Sequence, residues 1–123
     1  GVLMKVRAVF IDDDQYMLTA YQRMLRHTEF DCVFLTEPTA IWQLAGLDEV
    51  DIVLADQQMS LLSGIELLTQ LARQYPAIKR VLISGDLNFA YRQLGVLQLD
   101  AALEKPVSKT LLLQCLTQLS RTL

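Results

Sequence analysis

Hydrophobic residues form five short runs along the chain, separated by longer stretches that carry apolar residues at helical spacing. Short apolar runs rich in β-branched residues indicate buried strands. The runs cover residues 8–11, 32–35, 51–55, 80–83 and 101–103. Because strand and helix alternate five times, the pattern predicts an α/β fold, a doubly wound parallel sheet of five strands with five helices on its two faces.

The predicted helices cover residues 16–26, 37–45, 65–75 and 88–97, and a last one follows Ser108. Pro38 at the start of the second helix and Pro76 after the third stand where proline is well tolerated. Ser108 is suited to cap the last helix. The fourth helix has the weakest pattern because Gly95 lies inside it. Trp42, on the second helix, is expected to pack rather than to bind.

Composition narrows the function classes. The 123 residues fit one domain, 52% of them are hydrophobic, and the net charge is -3. A chain with this charge and no cluster of Lys and Arg is not expected to bind nucleic acid. No apolar run approaches the roughly 18 residues of a membrane helix, and the opening "GVLMKV" is too short for a signal peptide.

The two cysteines and the single histidine exclude another class of site. Cys32 and Cys115 lie far apart in apolar surroundings, which is typical of buried free thiols in a reducing cytoplasm. One histidine and two distant cysteines do not suffice for a zinc cluster. We therefore expect a cytoplasmic protein without a disulfide framework.

Polar residues whose side chains can bind a ligand or react follow four of the predicted strands. The first strand runs into three consecutive acids, and the third, fourth and fifth end beside an acid, a hydroxyl and an ammonium: Asp12, Asp13, Asp14, Asp56, Ser84 and Lys105. In an open α/β sheet, ligands bind beyond the carboxyl ends of the strands. With the strand order 2-1-3-4-5, strands 1 and 3 are neighbours, so their acids face one another across about 5 Å.

Carboxylates that close repel one another unless something positive compensates them. Mg²⁺ suits this task, because it is bound through one or two carboxylates together with phosphate oxygens. Ser84 adds a hydroxyl and Lys105 a positive charge, which together make a receptacle for a phosphoryl group. Asp56 stands alone after its strand and is best placed to act as a nucleophile that forms an aspartyl phosphate. In isolation, each residue is better explained as a turn former, a cap or a loop residue. Their joint placement at one edge of the sheet favours the cation site.

The segments "VFIDDD", "DIVLADQQMSLLSG", "VLISGD" and "LEKP", in this order, resemble the receiver domain of bacterial two-component response regulators. The resemblance extends from Val6 to the last helix. It implies the flavodoxin-like receiver fold and a single receiver domain over residues 1–123. Any output module would then follow Leu123, and "VLISGD" resembles receivers attached to signalling enzymes more than those of DNA-binding regulators.

The resemblance also implies a role for each site residue. Asp56 matches the phosphoacceptor, and Ser84 and Lys105 match the groups that bind the phosphoryl oxygens. Asp13 matches the direct Mg²⁺ ligand, Asp12 acts partly through water, and the backbone carbonyl of Gln58 completes the ion's protein ligands. Asp14 is expected to cap the first helix. Gly64 matches the glycine that closes the loop before the third predicted helix.

Receivers take the phosphoryl group from a sensor histidine kinase or a phosphotransfer protein. They catalyse only their own phosphorylation and its slow hydrolysis, so the output is a signal and not a product. That signal is expected to alter the surface made by the fourth predicted helix, the fifth strand and the fifth predicted helix, a surface also suited to dimerisation. No direct contact with nucleic acid or with a membrane is implied.

Three positions depart from the family pattern. Ser60 stands where a proline is usual, four residues after the acceptor, so the loop loses a fixed φ. Ala102 replaces the aromatic switch residue, so a ring cannot swing inward to gate the output surface. Gly85 replaces a small residue such as alanine. Gln58 and Asp86 occupy positions that tune hydrolysis of the aspartyl phosphate in this family.

Two other functions remain open at this stage. The stretch "FIDDDQ" also resembles the haloacid-dehalogenase phosphohydrolases, in which Asp12 would be the nucleophile, although the chain has no cap domain. Alternatively, the departures at Ser60 and Ala102 suit a receiver-like scaffold that binds partners without being phosphorylated.

Overall fold

The strands assemble into one parallel sheet with the order β2-β1-β3-β4-β5, as predicted. The computed structural model describes residues 5–123, so the first four residues of the opening "GVLMKV" lie outside the described residues. The strands are β1 (Arg7–Ile11), β2 (Asp31–Leu35), β3 (Ile52–Asp56), β4 (Lys79–Ser84) and β5 (Ala101–Glu104).

Alternation along the strands divides the core between the two faces of the sheet. On β1, Val9 and Ile11 join one hydrophobic cluster, whereas Ala8 and Phe10 join the other. The central strand β3 is buried throughout its length. This explains why β3 reads as an unbroken apolar run ending in a single acid, since helices or loops cover both of its sides.

The described chain has four α-helices: α1 (Gln15–Met24), α2 (Gly64–Gln74), α3 (Leu87–Tyr91) and α4 (Lys109–Ser120); the first three connect strands and α4 follows β5. Each begins at a side chain that accepts a hydrogen bond from a backbone N–H of the first turn, and these caps are Asp14, Ser63, Asp86 and Ser108. The predicted capping roles of Asp14 and Ser108 are confirmed.

The connection between β2 and β3 differs from the predicted second helix. It forms two 3₁₀ segments, Pro38–Gln43 and Leu47–Glu49, rather than one α-helix. Leu44 takes an extended conformation and Gly46 a left-handed one with φ of +77°, so the helical path is interrupted between the segments. A helical segment thus follows each of the five strands, as predicted, but the one after β2 is 3₁₀. Trp42 is partly buried against the core, as expected.

The fourth predicted helix is also shorter than its pattern indicates. The α-helix α3 ends at Tyr91, and turns carry the chain on to β5. Gly95, within the predicted range, has φ of +59°, a conformation that no residue inside a right-handed helix adopts. Within residues 5–123, no helix combines the length and apolar character that crossing a bilayer requires.

Cys32 and Cys115 are free thiols, the first half-buried and the second buried. Burial raises the pKa of each thiol to about 11. Both therefore stay protonated near neutral pH and behave as small apolar groups.

Candidate functional site

The pairing of β1 with β3 brings the predicted acids together at the carboxyl edge of the sheet. Ile11 is in register with Ala55, so Asp12 and Asp56 follow at the same level on neighbouring strands. One carboxylate oxygen from each of Asp12, Asp13 and Asp56 lies within 4.8 Å of the others. Asp12 is 2% and Asp56 5% exposed, whereas Asp13 reaches into solvent.

Lys105 is the cation that faces these acids. Its Nζ lies 2.8 Å from Asp56 Oδ1 and 3.6 Å from Asp12 Oδ2. Asp12 Oδ1 accepts a hydrogen bond from the Asp14 N–H at 2.9 Å. Asp12 Oδ2 is buried and has no hydrogen-bond partner among the residues that the structure describes. One ammonium therefore compensates a cluster of three carboxylates only in part.

The ionisation of the cluster reflects this imbalance. Burial raises the pKa of Asp12, against the Asp14 hydrogen bond that lowers it, and the charge of Asp56 raises it further. Burial likewise raises the pKa of Asp56, although the hydrogen bond and charge of Lys105 act in the opposite direction. Burial lowers the pKa of Lys105, but its contacts with Asp56 and Asp12 outweigh burial and raise that pKa overall.

Backbone contacts set the positions of Lys105 and Ser84. The Lys105 N–H donates to the Ser84 carbonyl at 2.9 Å, which ties the end of β5 to the end of β4. Ser84 is 5% exposed, and its hydroxyl donates to the Asp86 carbonyl at 3.2 Å while accepting the Asp86 N–H at 3.1 Å. The peptide bond between Lys105 and Pro106 is cis.

A cleft of about 550 Å³ opens beside the acids, between the loop after β3 and the start of α3. Its lining includes Asp13, Gln58 and Ser84. All six candidate site residues are thus found at one edge of the sheet, either in the acid cluster or along this cleft. The edge brings together carboxylates, a hydroxyl and an ammonium.

Gly64 allows α2 to begin directly behind Asp56. A Cβ atom at this position would lie 2.5 Å from the Asp56 carbonyl oxygen and 2.9 Å from Leu82 Cδ1. Contacts that short cannot form without moving the backbone, so only glycine fits here. At Gly85, by contrast, an added Cβ would meet no atom within 4 Å.

Two loop residues, Gln57 and Ser60, make further contacts around the site. Gln57 accepts the Ile65 N–H through Oε1 at 3.0 Å and donates through Nε2 to Gln93 Oε1 at 3.3 Å, which links α2 to the turn after α3. The backbone N–H of Ser60 donates to Asp13 Oδ2 at 2.9 Å. The local pattern does not predict the contacts with Gln93 and Asp13, because they join residues 36 and 47 positions apart along the chain.

The chemistry of the donor set fits a divalent cation. Three carboxylates converge and two of them are buried; among the described residues, buried Asp12 Oδ2 has no hydrogen bond and only the 3.6 Å ion pair with Lys105. A hard, oxygen-seeking cation such as Mg²⁺ supplies the missing positive charge without adding bulk.

Comparison with known proteins identifies the family. A family profile described as "Response regulator receiver domain" matches residues 8–117. The chain therefore belongs to the receiver domains of two-component response regulators, which are signalling modules.

Solved structures agree with this assignment. The chain is similar to the signal receiver domain of an HD domain-containing protein from Pseudomonas fluorescens, with 25% identity, a TM-score of 0.87 and 97% of each chain covered. It is also similar to a CheY-like receiver domain protein from Methanospirillum hungatei, with 21% identity, a TM-score of 0.80 and 96% of each chain covered. The flavodoxin-like receiver fold is confirmed.

A curated relative from Arabidopsis thaliana, described as a two-component response regulator, is 23% identical over 88 residues. The match covers 70% of this chain but only 14% of the relative. The two proteins thus share a receiver-sized segment of a much longer regulator.

Proposed function

We propose that this domain accepts a phosphoryl group on Asp56 and switches its surface in response. The observation that supports the proposal best is the convergence of Asp56 with Asp12, Asp13 and Lys105 within one cluster. A lone acid after a strand is an ordinary turn residue, but a buried acid paired with an ammonium and two further acids is an unusual and costly arrangement.

In the proposed reaction, a carboxylate oxygen of Asp56 attacks the phosphorus atom of a phosphohistidine on the partner. The O–P bond to Asp56 forms while the P–N bond to the histidine breaks, and the imidazole leaves. Lys105 pairs with the phosphoryl oxygens and offsets their charge. The Ser84 hydroxyl donates to one of these oxygens, and to do so it gives up its present bond to the Asp86 carbonyl.

Asp12, Asp13, Asp56 and the backbone carbonyl of Gln58 are the groups that would hold Mg²⁺. When bound, the ion neutralises negative charge on the acids and on the transferring phosphoryl group. Slow hydrolysis of the aspartyl phosphate would reset the domain, with Gln58 and Asp86 beside the cleft where water enters.

The response of Ser84 would bias the surface formed by α3, β5 and α4, which corresponds to the predicted output surface. Strand alternation places Ala102 and Leu103 on opposite faces of β5, so a methyl group stands where the family carries a ring. Aromatic gating is therefore not available, and the surface must move through backbone and hydrogen-bond changes. The same surface is suited to dimerisation.

The partners proposed for this domain are a sensor histidine kinase or a phosphotransfer protein in the cytoplasm. Residues 1–123 would act as one receiver domain joined to an output module. Similarity to the receiver of an HD domain-containing protein supports an enzymatic module over a DNA-binding one. No direct contact of this domain with nucleic acid or membrane is proposed.

The proposal is tested by incubating the protein with acetyl phosphate and Mg²⁺ and mapping the adduct by mass spectrometry after borohydride trapping. We expect the label on Asp56 and none in the matched Asp56→Asn variant. Label on Asp12, with rapid turnover of a phosphate ester, would support the phosphohydrolase alternative. No label, together with unchanged amide shifts under Mg²⁺ and beryllofluoride, would support a scaffold that works without phosphorylation.

A further inference from the structure

Asp13 differs from the two other acids of the cluster in how it is held. It is exposed, while Asp12 and Asp56 are buried, so neither packing nor the Lys105 ammonium fixes its carboxylate. Its Oδ2 instead accepts a hydrogen bond from the Ser60 N–H at 2.9 Å, across 47 positions of sequence. Within residues 5–123, this is the one side-chain hydrogen bond that holds the Asp13 carboxylate.

The loop that carries Ser60 is built to present this N–H. Met59 and Leu62 pack against the hydrophobic core, while Ser60 and Leu61 are exposed. Anchors on both sides therefore turn Ser60 outward, towards the edge of β1. Among the described residues, the contact to Asp13 is the only hydrogen bond made by residues 58–62, so it alone ties this loop to β1.

The donor exists because residue 60 is not a proline. Proline has no backbone N–H, and proline is the usual residue at this position in the family. In the sequence, Ser60 means that the loop lacks a rigid proline. In the structure, the same residue donates a charge-assisted hydrogen bond to the Asp13 carboxylate.

We infer that the Ser60 backbone amide is a positioning group for Mg²⁺ binding: it orients the Asp13 carboxylate and holds the loop that carries the Gln58 carbonyl beside it. The inference rests on the proposed function, since it concerns the ion that function requires. Hydrogen bonds to a ligating carboxylate commonly change metal affinity by 10- to 100-fold when they are lost.

The test compares Ser60→Pro, which removes the N–H, with Ser60→Ala and Ser60→Gly, which keep it. Mg²⁺ dissociation constants are measured by calorimetry and by the amide shifts of residues 12–14. We expect Ser60→Pro to weaken Mg²⁺ binding roughly 10- to 100-fold. Ser60→Ala should stay within about 2-fold of the wild type, and Ser60→Gly should do the same, which separates the N–H from loop rigidity.

A second measurement does not depend on the folding of Ser60→Pro. In the wild type without Mg²⁺, the Ser60 amide proton should exchange slowly and its shift should change in Asp13→Ala. Two results would overturn the inference but not the proposed function. One is an unchanged Mg²⁺ affinity in a folded Ser60→Pro variant. The other is a Ser60 amide proton that exchanges freely and whose shift does not change in Asp13→Ala. A wild type that binds no Mg²⁺ would overturn it together with the proposed function.

Discussion

The acid cluster and the region around α3 lie at the same edge of the sheet, but they are held very differently. Asp12 and Asp56 are almost fully buried, and Asp56 is 2.8 Å from the Lys105 ammonium. The helix α3 has five residues, and on it Phe89 and Tyr91 are about half exposed. Elements with few buried contacts are the ones that move at low cost in free energy.

This difference matches the two tasks of a receiver. The chemical step needs charges in fixed positions, because electrostatic stabilisation works only when the groups are already oriented. The signalling step needs a surface with two accessible arrangements. Ala102, where the family carries a ring, takes part in neither ion pair of the acid cluster, so we expect its effect to fall on the second task.

The largest effect is expected from Lys105→Ala. Among residues 5–123, Lys105 is the only cation paired with the acid cluster. Its removal leaves the phosphoryl oxygens without their partner, so phosphorylation by acetyl phosphate should slow on the order of 10²-fold. Lys109→Ala, at the exposed start of α4, is the matched control and should keep the wild-type rate. Equal rates in the two variants would mean that the ion pair with Asp56 has no part in the chemistry.

A smaller effect is expected on the free energy of unfolding, in which alanine substitutions at Gly64 and Gly85 should differ. Gly64→Ala forces a methyl group against the Asp56 carbonyl and should lower the free energy of unfolding by about 1–3 kcal/mol. Gly85→Ala, beside α3, meets no atom and should change it by less than about 0.5 kcal/mol. Urea titrations of both variants measure the contrast. If Gly85→Ala is the more destabilising, the region around α3 is packed more tightly than the contacts indicate.

The smallest effect concerns Mg²⁺ and pH. Because the pKa values of Asp12 and Asp56 are raised on folding, the folded chain holds these protons more tightly than the unfolded chain does. Without Mg²⁺, stability from this pair is therefore fully present below their ordinary value of 3.8 and is lost as pH rises through the raised pKa values. Lys105 adds no pH dependence in this window: its pKa is raised above the ordinary value of 10.5, so its stabilising contribution is fully present there and is lost only at higher pH.

At neutral pH, Mg²⁺ at ten times its dissociation constant should add about 1.4 kcal/mol to the free energy of unfolding. This gain should vanish in acid as the carboxylates become protonated. Urea unfolding with and without Mg²⁺, over a pH series, measures both trends. In Asp12→Asn, the loss of stability with rising pH and the stabilisation by Mg²⁺ should both become smaller. An unchanged pH profile of the free energy of unfolding would show that Asp12 causes neither effect.

Part of the candidate site follows directly from the order of residues. Strand ends can be located because apolar runs stop abruptly at Asp12, Asp56, Ser84 and Lys105, and parallel strands meet at one edge. Helix caps such as Asp14 and Ser108 are equally local, since cap and N–H lie within three residues. Local features of this kind depend on neighbouring residues alone.

The helical connections were only partly predictable. Periodicity places apolar residues after Pro38 and after Asn88, but it does not weigh the backbone conformations that Gly46 and Gly95 adopt. Left-handed φ values at those positions are selected by the path the chain must take to the next strand. The 3₁₀ connection and the short α3 therefore depend on the distances between strands, which the local pattern does not contain.

The sequence by itself determined the sheet, the order of the acids along it and the family to which the chain belongs. Only the tertiary structure decided which backbone groups contact those acids. The Ser60 N–H meets Asp13 across 47 residues, and Gly64 must be a glycine because the Asp56 carbonyl lies behind it. A residue's own type carries no information about which distant atom will face it, so contacts of this kind appear only once the chain has folded.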